Sequence, residues 1–434
     1  MTDARVTLWG TEIGAVSWLE DRQVGVFQYA QAFLDSGIQL APLMMPLREL
    51  PYEFPALPRE TFKGLPGLLA DSLPDKFGNA VIDAWLASTG QSVVDFNPVQ
   101  RLCYIGRRGM GGMEFEPVLR APVTRDRKVE VEKLVELSSL ILSHRSNLAG
   151  VFTGDDDRKA IEDILRVGSS AGGARAKAIL AWNPQTNEFR SGQIEPPPGF
   201  EPWIMKFDGV SKNRDHDVAD PRGYGKIEYA YHLMAVKAGI EMSECRLHHE
   251  GGRSHFMTRR FDRTPDGGKV HMQSLCAIAH VDFNTPGLFS YEQALQTMKR
   301  LGLPQSDLEQ QVLRAMFNVV GANNDDHVKN IAFLMDRQGE WRLSPAFDVT
   351  YAYNPDSRWT SLHQMSLNGK REGITRDDLI ALAAVAGIKA ARARDLLERV
   401  VHAVKEWLVC AAAAGVDEGM ANQIQRVQRL DLIF

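Results

Sequence analysis

The sequence predicts an α+β chain in which a strand-rich region precedes a helical one, with a smaller sheet-containing module ahead of both. Three observations lead there. Short apolar runs of period two recur early, at Val6–Trp9, Gly14–Trp18 and Val24–Tyr29. From Ser290 onward the apolar spacing is mostly helical. A chain of 434 residues also exceeds what one hydrophobic core organises, so two or three folding units are expected.

Taken in order, Pro-rich connectors from Pro42 to Pro58 follow the first strands, and helical stretches include Leu68–Leu73 and Asn79–Ser88. Asn97–Glu114 reads as a further strand with a Gly-rich turn, Gly106–Gly112, taken as a turn between strands and not a phosphate loop. The Pro- and charge-rich stretch Glu116–Lys128 makes a boundary. Val131–His144 reads as an amphipathic helix, Lys177–Trp182 and Pro202–Phe207 as strands, and Lys226–Ala238 as a helix stopped at Gly239. Arg246–His249 and Ser254–Phe261 form a further strand pair, which takes His248 and His249 as strand residues. Ser290-x-x-Gln293 and Ser306-x-x-Glu309 both fit capping boxes at helix starts. A hairpin, Ile331–Met335 with Trp341–Leu343, interrupts the helices, and helical segments near Arg376–Ala386, Ala390–Ala414 and Gly419–Leu430 complete the chain. Arg392, Arg394 and Arg399 read as a solvated helix face.

Composition excludes several classes of function. With 44% apolar and 24% charged residues this is an ordinary globular chain. A formal charge of −5 argues against general binding to nucleic acid or anionic membranes, while leaving room for a local basic patch. Cys103, Cys245, Cys276 and Cys410 are too scattered for a zinc site or a disulfide framework. The first ten residues carry no signal-peptide pattern, and the apolar stretch around Trp407–Ala414 is far short of the roughly 20 residues of a membrane span. A reducing cytoplasm is the expected compartment.

The most informative stretch is Asn323-Asn324-Asp325-Asp326-His327-Val328-Lys329-Asn330, between the helix Asp307–Gly321 and the hairpin that leads to Pro345-Ala346-Phe347-Asp348-Val349. Phosphoryl transfer from ATP needs a carboxylate to orient the acceptor hydroxyl and oxygen ligands to hold Mg²⁺ against the phosphates. Protein kinases place the catalytic Asp five residues before a metal-binding Asn, with a second metal-binding Asp beyond a hairpin. Asp325, Asn330 and Asp348 reproduce that pattern, whereas Asp326, the competing base, stands four residues from Asn330. A strand-rich lobe followed by a helical lobe is likewise the arrangement of a two-lobed kinase.

Asp-x-His-x-Lys-Asn at 325–330, followed by Ser-Pro-Ala-Phe-Asp-Val at 344–349, resembles the catalytic segment of HipA-like kinases. The resemblance runs over nearly the whole chain and includes Leu73-Pro74-Asp75, read as a turn positioning the N-terminal module, and Arg260-Phe261-Asp262-Arg263. It implies a two-lobed protein-kinase-like fold with a HipA-type module over residues 1–118 and a kinase domain over 119–434, its lobes meeting near residue 262. It implies Asp325 as the base, Asn330 and Asp348 as Mg²⁺ ligands, His327 as a support of the loop at the nucleotide, and Lys329 at the transferred phosphoryl group. The implied activity is that of a serine/threonine kinase, the toxin of a toxin–antitoxin pair, that phosphorylates a translation component such as an aminoacyl-tRNA synthetase. The implied partner is a HipB-type helix-turn-helix antitoxin, with DNA reached only through it.

Three further segments bear on the nucleotide. The small residues of Gly168–Ala174 allow close backbone approach, so that Ser169, Ser170, Gly172 and Gly173 could cradle phosphate oxygens, although no Gly-Lys-Ser/Thr closes the loop and a plain surface turn also fits. The resemblance places autophosphorylation at Ser170, with Ser169 adjacent and Arg175 where some members have Gln. Lys206, inside the apolar strand pattern Pro202–Phe207, reads as a phosphate anchor paired with Glu228 on the following helix. Phe261 reads as a packing surface for adenine, or as an ordinary core aromatic at a strand end. Two other functions stay open: a small-molecule or lipid kinase, although no polybasic run favours a membrane substrate, and a non-catalytic binding module of a repressor complex.

Overall fold

The computed structural model describes residues 2–93, 95–119, 128–143, 164, 167, 175–193, 198–210 and 223–433. The chain divides into two compact units. The first holds residues 1–41, 45–222 and 248–272, and the second 42–44, 223–247 and 273–434.

In the first unit, β1 (Thr2–Leu8), β2 (Thr11–Leu19) and β3 (Val24–Tyr29) form an antiparallel meander, and β4 (Met113–Glu116) pairs with β1 to give the order β3-β2-β1-β4. The alternation that marks these runs in sequence is realised as burial: Ala4, Val6 and Leu8 face the core while Asp3 and Arg5 face out. Trp9, expected to end the first strand, turns out of it at φ 52°. Helices α1 (Lys76–Ser88) and α2 (Pro98–Ile105) follow. The strand expected within 97–114 is therefore mostly helix. Asn97 accepts from the Gln100 amide, the Gln100 side chain accepts from the Asn97 amide, and Pro98 occupies the first helical position, a full capping box.

A second sheet in the order β6-β5-β7-β9-β8 contains β5 (Lys177–Asn183), β6 (Glu188–Ser191), β7 (Glu201–Lys206), β8 (Cys245–Glu250) and β9 (Arg253–Arg259), and the unit boundary falls within β8. The short strand β6 was not expected. Lys177–Trp182 are all buried, the mark of a strand covered on both faces. Leu180, Met205 and Trp203 join Leu134 and Val135 of α3 (Val131–Ser143) and residues of α1 in one core, where full burial of an aliphatic side chain contributes about 1.5–3 kcal/mol.

The second unit is mostly helical: α4 (Tyr224–Lys237), α5 (Leu275–Ala279), α6 (Tyr291–Arg300), α7 (Gln305–Val320), α8 (Arg376–Val385), α9 (Ala390–Lys405), α10 (Trp407–Ala414) and α11 (Glu418–Gln425). β10 (His271–Ser274), at the unit boundary, adds to the hairpin of β11 (Ala332–Met335) and β12 (Trp341–Leu343). The capping box at Ser290 forms with Gln293. That at Ser306 does not, because Pro304 is already the N-cap and the Ser306 hydroxyl turns to Asp307. The helix expected over 390–414 breaks at Glu406, which lets Trp407 bury against Tyr231 and donate from Nε1 to the Ala421 carbonyl at 2.8 Å. No helix among the described residues is long and apolar enough to cross a membrane.

Candidate active site

Helix α7 delivers the chain to the loop that carries Asp325. Ala322 takes a left-handed conformation at φ 56°, which reverses the backbone after Gly321. The loop is then held by backbone bonds from Asn323 to the Asn318 carbonyl, from Asn324 to the Ala352 carbonyl, and from Ala352 to the Ala322 carbonyl. Val328–Asn330 close a single 3₁₀ turn. The Asn330 side-chain amide donates to the Asp325 carbonyl at 2.8 Å, so its own carbonyl oxygen is the atom left for a cation.

The hairpin after the loop is fixed from α7. Asp307 accepts from Arg342 Nε and Nη2, both at 2.9 Å, and from the Leu343 amide at 2.8 Å. Burial alone would push this carboxyl up, but the Arg342 guanidinium and the Leu343 amide outweigh it and hold it low. Arg314 donates to the Ser344 carbonyl at 2.7 Å, and the Ala346 amide to the Glu241 carbonyl at 2.8 Å. Asp348 follows at φ 53°.

The two neighbouring carboxylates differ in environment. Asp325 is 35% exposed at its side chain, with His327 Nε2 at 3.9 Å from its Oδ1, too far for a hydrogen bond. Asp326 is 1% exposed and accepts from Tyr291 Oη at 2.7 Å, His363 Nδ1 at 2.9 Å and the Gln364 amide at 2.6 Å. Phe283, which the sequence did not single out, lies against both His327 and Lys329: its ring is 5.6 Å from the imidazole and 4.8 Å from the Lys329 ammonium.

Asn330, Asp348, Asp326 and His327 line one cavity of about 30 Å³ with the α7 residues Gln311 and Arg314. That space suits water and is far too small for a nucleotide. Gln311 Oε1, Arg314 Nε, Asn323 Oδ1 and His327 Nδ1 have no protein hydrogen-bond partner, the pattern of a site bridged by water. Burial pulls the Arg314 guanidinium down to about 10. An amide oxygen on Asn330 and a carboxylate on Asp348 are the hard oxygen donors that suit Mg²⁺, which takes one or two protein ligands together with substrate phosphates.

The remaining expected site residues are placed as follows. Lys206 ends β7, in register opposite Lys177 of β5, with its ammonium 5.7 Å from the centre of the Phe256 ring. Glu228 is buried in α4, and Phe261 is half-buried just after β9. Lys206 and Phe261 belong to the first unit, and Glu228, Asp325 and Asp348 to the second. Ser169, Ser170, Gly172 and Gly173 lie outside the described residues.

The Arg260–Arg263 motif is a buried ion cluster within the first unit. Asp262, 0% exposed, accepts from Arg260 Nε at 2.9 Å and Nη2 at 2.7 Å, from Arg263 Nη1 at 2.9 Å, and from the Gly111 amide at 2.7 Å. Gly111 stands at φ 72°, and a Cβ there would lie 3.1 Å from the Met272 nitrogen, which explains one glycine of the Gly-rich turn.

Residues 4–116 match the HipA N-terminal domain and residues 169–408 the HipA-like C-terminal domain. Two proteins of Sinorhizobium fredii are similar over part of the chain. The protein named "Putative kinase Y4mE" is 26% identical over 168 residues, which cover 36% of this chain and 36% of that protein. "Putative kinase Y4dM" is 28% identical over 216 residues, covering 45% and 50%. The match thus spans half or less of these relatives' own lengths. Among solved structures, the fold is shared with a chain of the Shewanella oneidensis toxin–antitoxin complex of HipA, HipB and operator DNA, at a TM-score of 0.65 and 17% identity over 99% of this chain and 96% of that one.

Proposed function

The chain belongs to the HipA family, and from that premise we propose that it is an ATP- and Mg²⁺-dependent serine/threonine protein kinase, the toxin of a toxin–antitoxin pair. The observation that carries the reading is that Asp325, a partly exposed carboxylate, shares its loop with Asn330, whose side chain lines one cavity with Asp348. Asp325 orients the acceptor hydroxyl and takes its proton while that oxygen bonds to the γ-phosphorus and the bridging P–O bond to ADP breaks. Asn330 and Asp348 hold Mg²⁺, which when bound neutralises charge on the phosphates. Lys329 faces the transferred group, and His327, packed on Phe283, supports the loop. Lys206, partnered by Glu228, takes the phosphates, Phe261 packs on adenine, and Ser169, Ser170, Gly172 and Gly173 form the phosphate loop, with Ser170 the autophosphorylated residue.

The proposed organisation is a HipA-type module over residues 1–118 and a kinase domain over 119–434 with lobes meeting near residue 262. The four free cysteines accord with a reducing cytoplasm as the site of action. The proposed acceptor is a serine or threonine of another protein, a translation component such as an aminoacyl-tRNA synthetase. The proposed partner is a HipB-type antitoxin, on the strength of the Shewanella complex, with DNA contacted through that partner alone.

Incubation of the purified chain with γ-labelled ATP, Mg²⁺ and a bacterial lysate tests the reading. Label is expected on protein, and Asp325→Asn should reduce it about 10²–10⁴-fold, the usual worth of a positioned base. Label on a lipid or small molecule would replace the protein acceptor, and no transfer at all would leave a binding module.

A further inference from the structure

We propose that Asp326 is a positioning residue, which fixes the direction of Asp325 by clamping the segment that follows Asp348 against the catalytic loop. This deepens the kinase reading and rests on it. A carboxylate only accepts hydrogen bonds, so Tyr291, His363 and Gln364 all donate to Asp326. Tyr291 is itself aimed: Asn318 of α7 donates to its hydroxyl at 3.0 Å, and Asn323 donates to Asn318 at 2.9 Å. Burial, with the Asp326 charge behind it, holds the phenol protonated and hence a donor.

The same stretch grips the loop on the other side of Asp325. Asn324 donates from Nδ2 to the Thr360 carbonyl at 3.1 Å, and Asn330 holds the Asp325 carbonyl itself. The segment is pinned in turn, since the Gly287 amide donates to the Gln364 carbonyl at 2.8 Å, the Tyr291 amide to the Ser366 carbonyl at 2.9 Å, and Arg371 to the His363 carbonyl at 2.6 Å. Both chain neighbours of Asp325 are therefore tied to residues 360–364, while its own side chain stays half-exposed. A base held in this way has one direction, and a misplacement of about 1 Å is enough to cost roughly a hundredfold in rate.

The experiment uses the full chain with Mg-ATP as the probe and water as the acceptor, followed by ADP formation at a temperature where every variant is folded. His363→Leu removes the donor, Tyr291→Phe removes one hydroxyl, and His363→Asn restores an N–H near the place of Nδ1. The expected result is a kcat about 10–100-fold lower in the first two, with KM for Mg-ATP within about twofold of wild type, and recovery in His363→Asn. Asp326→Asn should fall at least as far, because Oδ2 accepts from both Tyr291 and His363 while the remaining oxygen accepts only from Gln364. A merely structural clamp would lower Tm and leave kcat unchanged, and that outcome overturns the proposal. So does failure of His363→Asn to recover the rate lost in His363→Leu. If the wild type forms no ADP and transfers no label, the kinase reading itself has failed. An active wild type with an inactive Asp325→Asn and an unaffected His363→Leu rejects the positioning role alone.

Discussion

Replacing Asp262 by Asn should destabilise the first unit by about 3 kcal/mol, the lower end of what breaking a buried ion pair costs. The side chains of Arg260, Asp262 and Arg263 are 1%, 0% and 12% exposed, so water cannot take over the lost charge. Asn keeps one accepting oxygen for four donor contacts and sets an NH₂ group against two guanidiniums. Set beside a usual total of about 5–15 kcal/mol, the loss is large. Because Gly111 donates to the same carboxylate, the effect should be local first: amide exchange at Gly111 and along Met113–Glu116 should quicken about a hundredfold, at 1.4 kcal/mol per factor of ten. The pH dependence has a definite sign. Burial would raise the Asp262 carboxyl, but the two guanidiniums and the Gly111 amide overcome it and hold it far below the usual range. Its contribution is thus fully present above the unfolded value near 3.9 and is lost as pH falls below that. The gap between variant and wild type should stay constant from about pH 5 to 9 and shrink only in more acidic solution. Urea unfolding and hydrogen exchange measure both. A variant within about 1 kcal/mol of wild type at pH 7 would refute the account, since the cluster would then contribute no more than a surface pair.

Three other outcomes are expected. Burial lowers His271 to about 3 and His255 to about 4, so both fold in the neutral form. The unfolded chain takes up protons that the native one refuses, so stability should fall from about pH 6.5 towards 4, by up to about 1.4 kcal/mol per unit for each histidine, and His271→Gln should flatten the slope measured by denaturation. Lys206→Ala should weaken binding of a non-hydrolysable ATP analogue with Mg²⁺ in calorimetry, and unchanged affinity would make it an ordinary strand lysine. Peptide mass spectrometry after incubation with Mg-ATP should find phosphate on Ser170; phosphate on Ser169 alone, or none in this loop of an enzyme that labels other proteins, would remove the assignment.

What could be read from the sequence was local. Val24–Tyr29 and Trp341–Leu343 are strands with the bounds their alternation suggests, and Ser290 caps its helix as its spacing to Gln293 requires. Some local signals carry two interpretations, and the contacts of the residues, near or distant in sequence, distinguish their environments. Asn97-Pro98 opens a helix, and the glycines that follow belong to the turn after it. Asp325 and Asp326 are adjacent and chemically alike, and the distance to Asn330 gave only a preference. Burial separates them, and it comes from Tyr291 and His363, 35 and 37 residues away. In sequence the Arg-Phe-Asp-Arg motif points to Phe261, whereas the dense contacts are those of Asp262, one of them to Gly111 across 151 residues.

The backbone at the two ends of the candidate site carries a cost that no residue type announces. Ala322 and Asp348 both sit in the left-handed region, at φ 56° and 53°, where a residue other than glycine loses about 1–3 kcal/mol. Such conformations persist only when their surroundings over-determine them. Around Ala322 that role falls to the Ala352 amide on its carbonyl and the Asn323 amide on Asn318. Before Asp348 it falls to the Ala346 amide on the Glu241 carbonyl and the Ala346–Met242 bridge. Arg314 and Asp307 of α7 brace the intervening hairpin at the Ser344 carbonyl and the Leu343 amide. One helix thus fixes both the loop that carries Asp325 and the strand end that leads to Asp348. The distance between Asp325 and Asp348, the proposed base and metal ligand, is thereby a property of α7 and its polar contacts, more than of the two loops in which those residues stand.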